Sequence, residues 1–99
     1  MARKGYAEEY LAKQALIQRY GPLGVIKVAI SQFGADFICF SNGMVHLAVE
    51  VKACHKDKYY PSKKDISQRE RIKEFCKFNN CLGEVWVKYP YKPFEVQSL

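Results

Sequence analysis

The stretch ADFICFSNGMVHLAVEVK, residues 35–52, decides the fold. At its centre, Ser41-Asn42-Gly43 separates two β-rich runs, and an Asn-Gly pair in that position is typical of a tight hairpin turn. Residues 35–40 and 44–52 are therefore predicted to be neighbouring antiparallel strands. Residues 45–49 are nearly continuous in apolar character, which favours a strand covered on both faces.

The sequence on either side of this hairpin predicts two helices and three further strands. Gly21-Pro22 is expected to end the first helix, because proline cannot continue it. The predicted elements are a helix at about Tyr6–Tyr20, a strand at Val25–Ile30, a helix at about Asp65–Asn79, a strand at Glu84–Tyr89 and a short edge strand at Phe94–Val96. The order α-β-β-β-α-β predicts an α/β domain in which helices flank a central mixed sheet.

The predicted second helix has an apolar face and a charged face. Ile72, Phe75 and Cys76 form the centre of the apolar face, which is expected to pack against the sheet. The helix is expected to be capped by Asp65 or Ser67, and Ser67-x-x-Glu70 has the spacing of a capping box. The basic side chains of this helix are predicted to form a solvated surface; they are Arg69, Arg71, Lys73 and Lys77.

The bulk composition predicts one globular domain with a basic surface. The chain has 99 residues, 48% of them hydrophobic and 26% charged, so residues 1–99 are expected to form a single domain. Its net charge of +6 suits a polyanionic partner such as nucleic acid, or a merely solvated surface. No apolar run approaches the ~20 residues that span a bilayer. Residues 1–5 do not begin a signal peptide, so the protein is expected to stay inside the cell, away from membranes.

The four cysteines are expected to be reduced thiols, as is usual inside cells. Cys54-His55 and Cys76-x4-Cys81 offer ligands for zinc, but neither has the Cys-x2-Cys spacing of common zinc sites. Cys39 and Cys54 also lie in or beside predicted strands. Buried structural thiols are therefore the favoured interpretation.

Three charged residues of the hairpin form a candidate active site. Side chains alternate along a strand, so Glu50 and Lys52 point to the same face while Val51 points to the other. If Asp36 projects to that face as well, two carboxylates and an ammonium group meet at one end of the sheet. Two nearby carboxylates suit a hard divalent cation such as Mg²⁺, which can orient a phosphodiester and lower the pKa of a bound water.

The sequence resembles a known family at this point. Asp36 followed by Glu50-Val51-Lys52 looks like the signature of the PD-(D/E)xK nucleases, although Ala35 stands where the signature has proline. Over most of its length, the chain also resembles the archaeal Holliday junction resolvases, in segments that run in order from Arg3 to about Tyr89. These segments are Arg3-Lys4-Gly5-x-x-x-Glu9, Lys56-Asp57-x-x-Tyr60, and Asp65 with Ile72-x-Glu74-Phe75.

The resemblance implies a restriction-endonuclease-like core and a magnesium-dependent endodeoxyribonuclease in which Mn²⁺ can substitute, with no small-molecule cofactor. It implies that Glu9, Asp36, Glu50 and the main-chain carbonyl of Val51 bind the metal. Lys52 would be the catalytic lysine, which positions or activates the attacking water or balances charge on the transition state.

Two positions need separate comment in this comparison. A helical projection places Glu9 on the same inward stripe as Leu16 and Tyr20, which favours it over Glu8 as the metal ligand. Ser31 lies where these resolvases carry a serine before the aspartate. It is therefore either a catalytic residue or a simple turn residue.

Basic segments flank the predicted site and are expected to follow DNA phosphates. Tyr59 and Tyr60 either stack on an exposed base or buttress the loop, and buttressing is favoured. No motif that reads base sequence is present, so backbone-directed or structure-selective binding is predicted. The predicted DNA-binding residues are Arg3, Lys4, Lys56, Lys58, Tyr60, Lys63 and Lys64.

Three functions remain open from the sequence. The first is a homodimeric Holliday junction resolvase with two active sites related by a two-fold axis. The second is a related nuclease that acts on flap, nicked or single-stranded DNA. The third, a non-catalytic nucleic-acid-binding module, is disfavoured because a pure binder has no need to cluster acids beside a phosphate path.

Overall fold

The computed structural model describes residues 6–29 and 33–99, so the predicted site residues Arg3, Lys4 and Ser31 lie outside the described residues. The described residues form two helices and five strands, with a turn of 3₁₀ helix after the first helix. Their bounds are α1 Tyr6–Tyr20, the 3₁₀ turn Pro22–Gly24, β1 Val25–Lys27, β2 Phe37–Ser41, β3 Met44–Ala53, α2 Lys63–Asn79, β4 Leu82–Lys88 and β5 Glu95–Ser98.

The strands form one mixed sheet in the order β1-β2-β3-β4-β5. β3 and β4 run parallel, and α2 is the crossover that a parallel pair requires. The other neighbours are antiparallel. Asn42 and Gly43 have φ values of 54° and 75°, the positive values that a two-residue hairpin turn needs, so the predicted β2–β3 hairpin is confirmed. The predicted α/β class with a central mixed sheet is also confirmed.

The two helices cover opposite faces of β3. Leu47, Val49 and Val51 pack in one cluster with Leu16 of α1, and Ala48 packs in another with Ile72 of α2. This explains the continuous apolar run of β3, since both faces of the strand are buried. Glu50 and Lys52 therefore belong, by alternation, to the face that α2 covers.

The start of α2 differs from the prediction. The N-cap is Ser62, not Asp65 or Ser67: the Ser62 hydroxyl accepts a hydrogen bond from the Asp65 N–H at 3.1 Å, and the Asp65 carboxylate accepts one from the Ser62 N–H at 3.0 Å. Ser62-x-x-Asp65 is thus the capping box. The helix begins earlier than predicted because no breaker follows Ser62, whereas Pro61 precedes it.

The strand boundaries also differ, by one to three residues. β1 ends at Lys27 instead of Ile30, and β2 begins at Phe37, so that Asp36 lies just before the strand instead of within it. The ladder is nevertheless continued by single hydrogen bonds, from Val28 N–H to Asp36 O at 2.9 Å and from Asp36 N–H to Val49 O at 2.8 Å. The last strands are shifted likewise, to Leu82–Lys88 and Glu95–Ser98.

The four cysteines are free thiols, and Cys39, Cys54 and Cys76 are buried as predicted, while Cys81 is half-buried. In the described ranges, no helix is both long enough and apolar enough to cross a membrane.

Gly34 holds the segment before Asp36 against α2. Its φ is +103°, and a Cβ on this residue would lie 2.7 Å from the main-chain oxygen of Gln68. We expect Gly34→Ala to lower the free energy of unfolding by more than about 1 kcal/mol, because it adds a clash to an unfavourable φ. Gly21→Ala is the matched control in urea unfolding, since Gly21 also has a positive φ but no atom within 4 Å of the added carbon. Equal losses in the two variants would contradict the close approach of Gly34 to α2.

Candidate active site

Asp36 lies where the β2–β3 ladder ends. Residue Phe37 is the first of β2 and pairs with Val49. Past this end of β2, no strand residue of the described ranges is present to accept the next main-chain hydrogen bond from β3. The Asp36 side chain accepts it instead, through a bond of 2.6 Å from the Val51 N–H to its Oδ2. The carboxylate is thereby fixed beside the C-terminal part of β3, close to Glu50 and Lys52.

Glu9 approaches Asp36 from α1. Its side chain is 19% exposed, lies on the inward stripe that the helical projection predicts, and has its Oε2 3.5 Å from Lys27 Nζ. The pKa of Asp36 is raised to about 6: burial raises it most, the Glu9 carboxylate also raises it, and the Val51 N–H and Lys52 act to lower it. Glu9 and Asp36 are thus close enough that the negative charge of Glu9 disfavours ionisation of Asp36.

Glu50 is the buried acid of the site, with only 1% of its surface exposed. Neither of its carboxylate oxygens accepts a hydrogen bond from any residue that the structure describes. Burial raises its pKa to about 7, although Lys52 and Arg69 lower it. These cations are 3.9 Å from Oε2 and 3.8 Å from Oε1, respectively, too far for hydrogen bonds. Its charge is therefore only partly compensated.

Lys52 shares the face of Glu50, as the alternation of β3 predicts. Its Nζ is 2.8 Å from Asp65 Oδ1 in the first turn of α2. Burial acts to raise the pKa of Asp65, but hydrogen bonds from Lys52, the Ser62 N–H and the Tyr59 hydroxyl outweigh it and hold that pKa well below its usual range. Asp65 is accordingly a firmly ionised partner for the lysine.

The prediction that Arg69 lies on a solvated surface is wrong. Its side chain is 16% exposed, lies near Glu50, and has its guanidinium carbon 5.4 Å from the ring centre of Tyr59. The signal was present in the sequence: residues 65, 69, 72 and 76 repeat at helical spacing, so the stripe that buries Ile72 and Cys76 also directs Asp65 and Arg69 toward the sheet.

The donor set is compatible with a magnesium ion. Within residues 6–29 and 33–99, no three His, Cys, Asp or Glu side chains are grouped closely enough to hold a metal ion. Magnesium needs fewer protein ligands, because it commonly binds one or two carboxylates and keeps waters or substrate phosphates as its other ligands. The carboxylate of Asp36 and the Glu50 oxygens, which accept no hydrogen bond from residues 6–29 and 33–99, match that requirement. Val51 offers its N–H to Asp36, and a role for its carbonyl stays a prediction.

Predicted DNA-binding residues lie beside this site on the loop after β3 and the first turn of α2. Lys56, Lys58, Lys63 and Lys64 are exposed. Tyr60 is 73% exposed, with Lys58 Nζ 5.6 Å from its ring centre.

Tyr59 differs from its neighbour Tyr60, because it is half-buried and buttresses the loop. Its N–H donates to the Tyr89 hydroxyl at 3.2 Å and its own hydroxyl donates to Asp65 at 2.8 Å. The buttressing role favoured from the sequence thus describes Tyr59, and Tyr60 is free to meet a ligand.

A comparison with solved structures shows the fold. The chain is similar to a solved structure of a Holliday junction resolvase from Archaeoglobus fulgidus, an archaeal hyperthermophile, with a TM-score of 0.61 and 22% sequence identity over 86% of this chain and 74% of that one. The chain has the fold of that resolvase. No protein-family model and no curated protein matches it.

Proposed function

We propose that the protein is a metal-dependent DNA endonuclease with Asp36, Glu50 and Lys52 at its active site and Glu9 beside them. The observation that carries this proposal is the burial of Glu50, whose two oxygens accept no hydrogen bond from the described residues, next to a second acid of raised pKa. Such a group opposes folding, because a buried charge needs partners to offset its lost hydration. Groups of this kind are concentrated at functional sites.

Asp36 and Glu50 would hold a magnesium ion, which Mn²⁺ could replace, and Glu9 would lie beside Asp36 as a further acid near the ion. The ion would supply charge stabilisation for the phosphodiester and a more acidic bound water. Asp36 is oriented for this task by the Val51 N–H, and Glu50 is fixed by its place in the centre of the sheet.

Lys52 would supply the positive charge of the protein itself. An ammonium group at the rim of the site can donate hydrogen bonds to the phosphate oxygens or to the attacking water as negative charge develops. The exposed lysines after β3 would bind the phosphates on either side, and their contacts carry no base specificity. These lysines would extend the proposed active site into a surface for the DNA backbone.

Four-way junctions are the substrate that we propose for this site, with the chain acting as a homodimer in DNA recombination or repair. The solved neighbour is itself a Holliday junction resolvase. Two sites related by a two-fold axis would cut symmetric strands of a junction. A nuclease for flap, nicked or single-stranded DNA is the alternative. A non-catalytic binding module is less well supported, since binding alone would not require the buried Glu50.

A panel of DNA substrates distinguishes these functions. Purified protein with Mg²⁺ is incubated with an end-labelled four-way junction, linear duplex, flap and single strand of the same sequence. We expect paired, symmetric incisions in the junction and little cutting of the duplex, because both sites of a dimer engage one junction. Preferential cutting of the flap or single strand would favour the alternative nuclease, and a monomer at assay concentrations would contradict the resolvase.

A further inference from the structure

Lys52 has a closer partner than Glu50. Its Nζ lies 2.8 Å from Asp65 Oδ1, compared with 3.9 Å from Glu50 Oε2. We propose that Asp65 is the positioning residue of the site: it fixes the ammonium group of Lys52 beside Glu50 without itself contacting the DNA. This inference rests on the proposed nuclease function and extends it to a residue of α2.

Asp65 is well fixed for this role. Its Oδ2 accepts hydrogen bonds from the Tyr59 hydroxyl at 2.8 Å and from the Ser62 N–H at 3.0 Å, which leaves Oδ1 for Lys52. Tyr59 is in turn tied to Tyr89, the buried residue that follows β4. The position at the start of α2 also favours a negative charge, because main-chain N–H groups point toward it. The carboxylate is therefore part of a rigid frame rather than a mobile surface group.

In the part of the chain that the structure describes, fewer other contacts hold the Lys52 side chain in place than hold Asp36 and Glu50. A lysine side chain has four rotatable bonds, and this one is 26% exposed near the end of β3. Asp36 is held by a main-chain hydrogen bond and Glu50 by burial, whereas Lys52 has Asp65 as its one contact at hydrogen-bond distance among the described residues. Glu50 cannot take over this role while its charge is shared with Arg69 or a bound cation.

The capping box provides a simpler explanation for Asp65, which must be separated from the catalytic one. If Asp65 only stabilises the first turn of α2, then removing the other half of the box should have the same consequence. Ser62→Ala removes the hydroxyl that accepts the Asp65 N–H but keeps the Asp65 carboxylate and the Ser62 N–H that binds it. This variant is therefore the control for a purely structural role.

The test compares single-turnover cleavage of the preferred DNA substrate by these variants. We expect Asp65→Asn to lower the cleavage rate roughly 10–100-fold, the loss that is typical when a hydrogen-bonded partner of a metal-site residue is removed, with DNA affinity unchanged. Asp65→Glu should recover part of the loss. Ser62→Ala should cleave close to the wild-type rate, as should Glu70→Gln, which removes one exposed acid of α2. In a Lys52→Ala background, Asp65→Asn should cause no further loss, because its effect passes through the lysine.

Several outcomes would overturn the role of Asp65. Wild-type cleavage by Asp65→Asn, an equal loss in Ser62→Ala, or a further loss in the Lys52→Ala background would each do so while leaving the nuclease proposal intact. Absence of cleavage by the wild-type protein would overturn the nuclease proposal and this role together.

A measurement without turnover checks the contact itself. In ¹⁵N NMR spectra, the Nζ signal of Lys52, assigned with Lys52→Arg, should be protected from solvent exchange in the wild type and lose that protection in Asp65→Asn. A signal that exchanges freely in the wild type would contradict the contact.

Discussion

Asp36→Asn is expected to reduce DNA cleavage by roughly 10³-fold, since charge stabilisation by a catalytic metal is worth several kcal/mol and each 1.4 kcal/mol is tenfold in rate. The substitution keeps the shape of the side chain, and the amide oxygen of asparagine can still accept the Val51 N–H that Asp36 Oδ2 accepts at 2.6 Å. The end of the β2–β3 ladder should therefore stay intact. What is lost is the negative charge beside Glu50 and Glu9.

Binding and cleavage must be measured separately to interpret this variant. We expect the affinity for DNA in the absence of Mg²⁺ to be retained or slightly increased, because one acid near the basic loop is removed. Asp57→Asn is the matched control, since it makes the same change of charge on the exposed loop. This control should cleave at least as fast as the wild type. If Asp36→Asn cleaved at the wild-type rate, the active site would lie elsewhere.

The stability of the metal-free protein should fall as the pH rises from about 5 to about 8. The pKa of Glu50 is raised from 4.5 to about 7 and that of Asp36 from 3.8 to about 6. In this interval the folded state holds protons that the unfolded state has released, so each rise in pH favours unfolding. Glu50 alone accounts for roughly 3 kcal/mol at the upper end, which lowers the Tm by about 10 °C or more.

Ionisation of Asp65 has the opposite effect on the free energy of unfolding, but it occurs below the interval from pH 5 to pH 8. Its pKa is lowered in the folded state, so its contribution is present above about pH 4 and is lost only in more acid solution. The metal-free protein should therefore be most stable near pH 5.

Thermal unfolding in EDTA at pH 5, 6.5 and 8 checks this prediction. Glu50→Gln should reduce the dependence on pH, whereas Glu74→Gln, which changes an exposed acid of α2, should not. Addition of Mg²⁺ at pH 8 should stabilise the wild type by binding to its folded state, and should have little effect on Glu50→Gln. A wild-type protein that becomes more stable between pH 5 and pH 8 in EDTA would contradict the raised pKa of Glu50 in the folded state.

Local patterns were sufficient to predict the hairpin and the strand that carries the site. Asn42-Gly43 specified the turn by its positive φ values, and alternation along β3 placed Glu50 and Lys52 on one face. The bounds of α1 were also predicted correctly, because Gly21-Pro22 ends a run of good helix formers. Each of these conclusions depends on residues that are close together in the chain.

Features that depend on packing between distant elements were not predicted. Asp65 and Arg69 enter the site because α2 crosses over the face of β3 that bears Glu50, and this placement is a tertiary property. A charged helix residue is usually solvated, so Arg69 was assigned to the surface. Similarly, the Asp36 side chain accepts the Val51 N–H because β2 begins one residue later, at Phe37, and strand ends are poorly specified by local sequence.

The most direct test of metal-dependent DNA hydrolysis at this site is cleavage of a labelled four-way junction by the wild-type protein in Mg²⁺ and in EDTA, on the same substrate and at the same ionic strength. We expect strand cleavage in Mg²⁺, none in EDTA, and recovery when Mg²⁺ is added in excess of the chelator. Equal cleavage in EDTA would contradict the role assigned to Asp36 and Glu50. The absence of cleavage of any DNA form in either Mg²⁺ or Mn²⁺ would contradict a nuclease altogether.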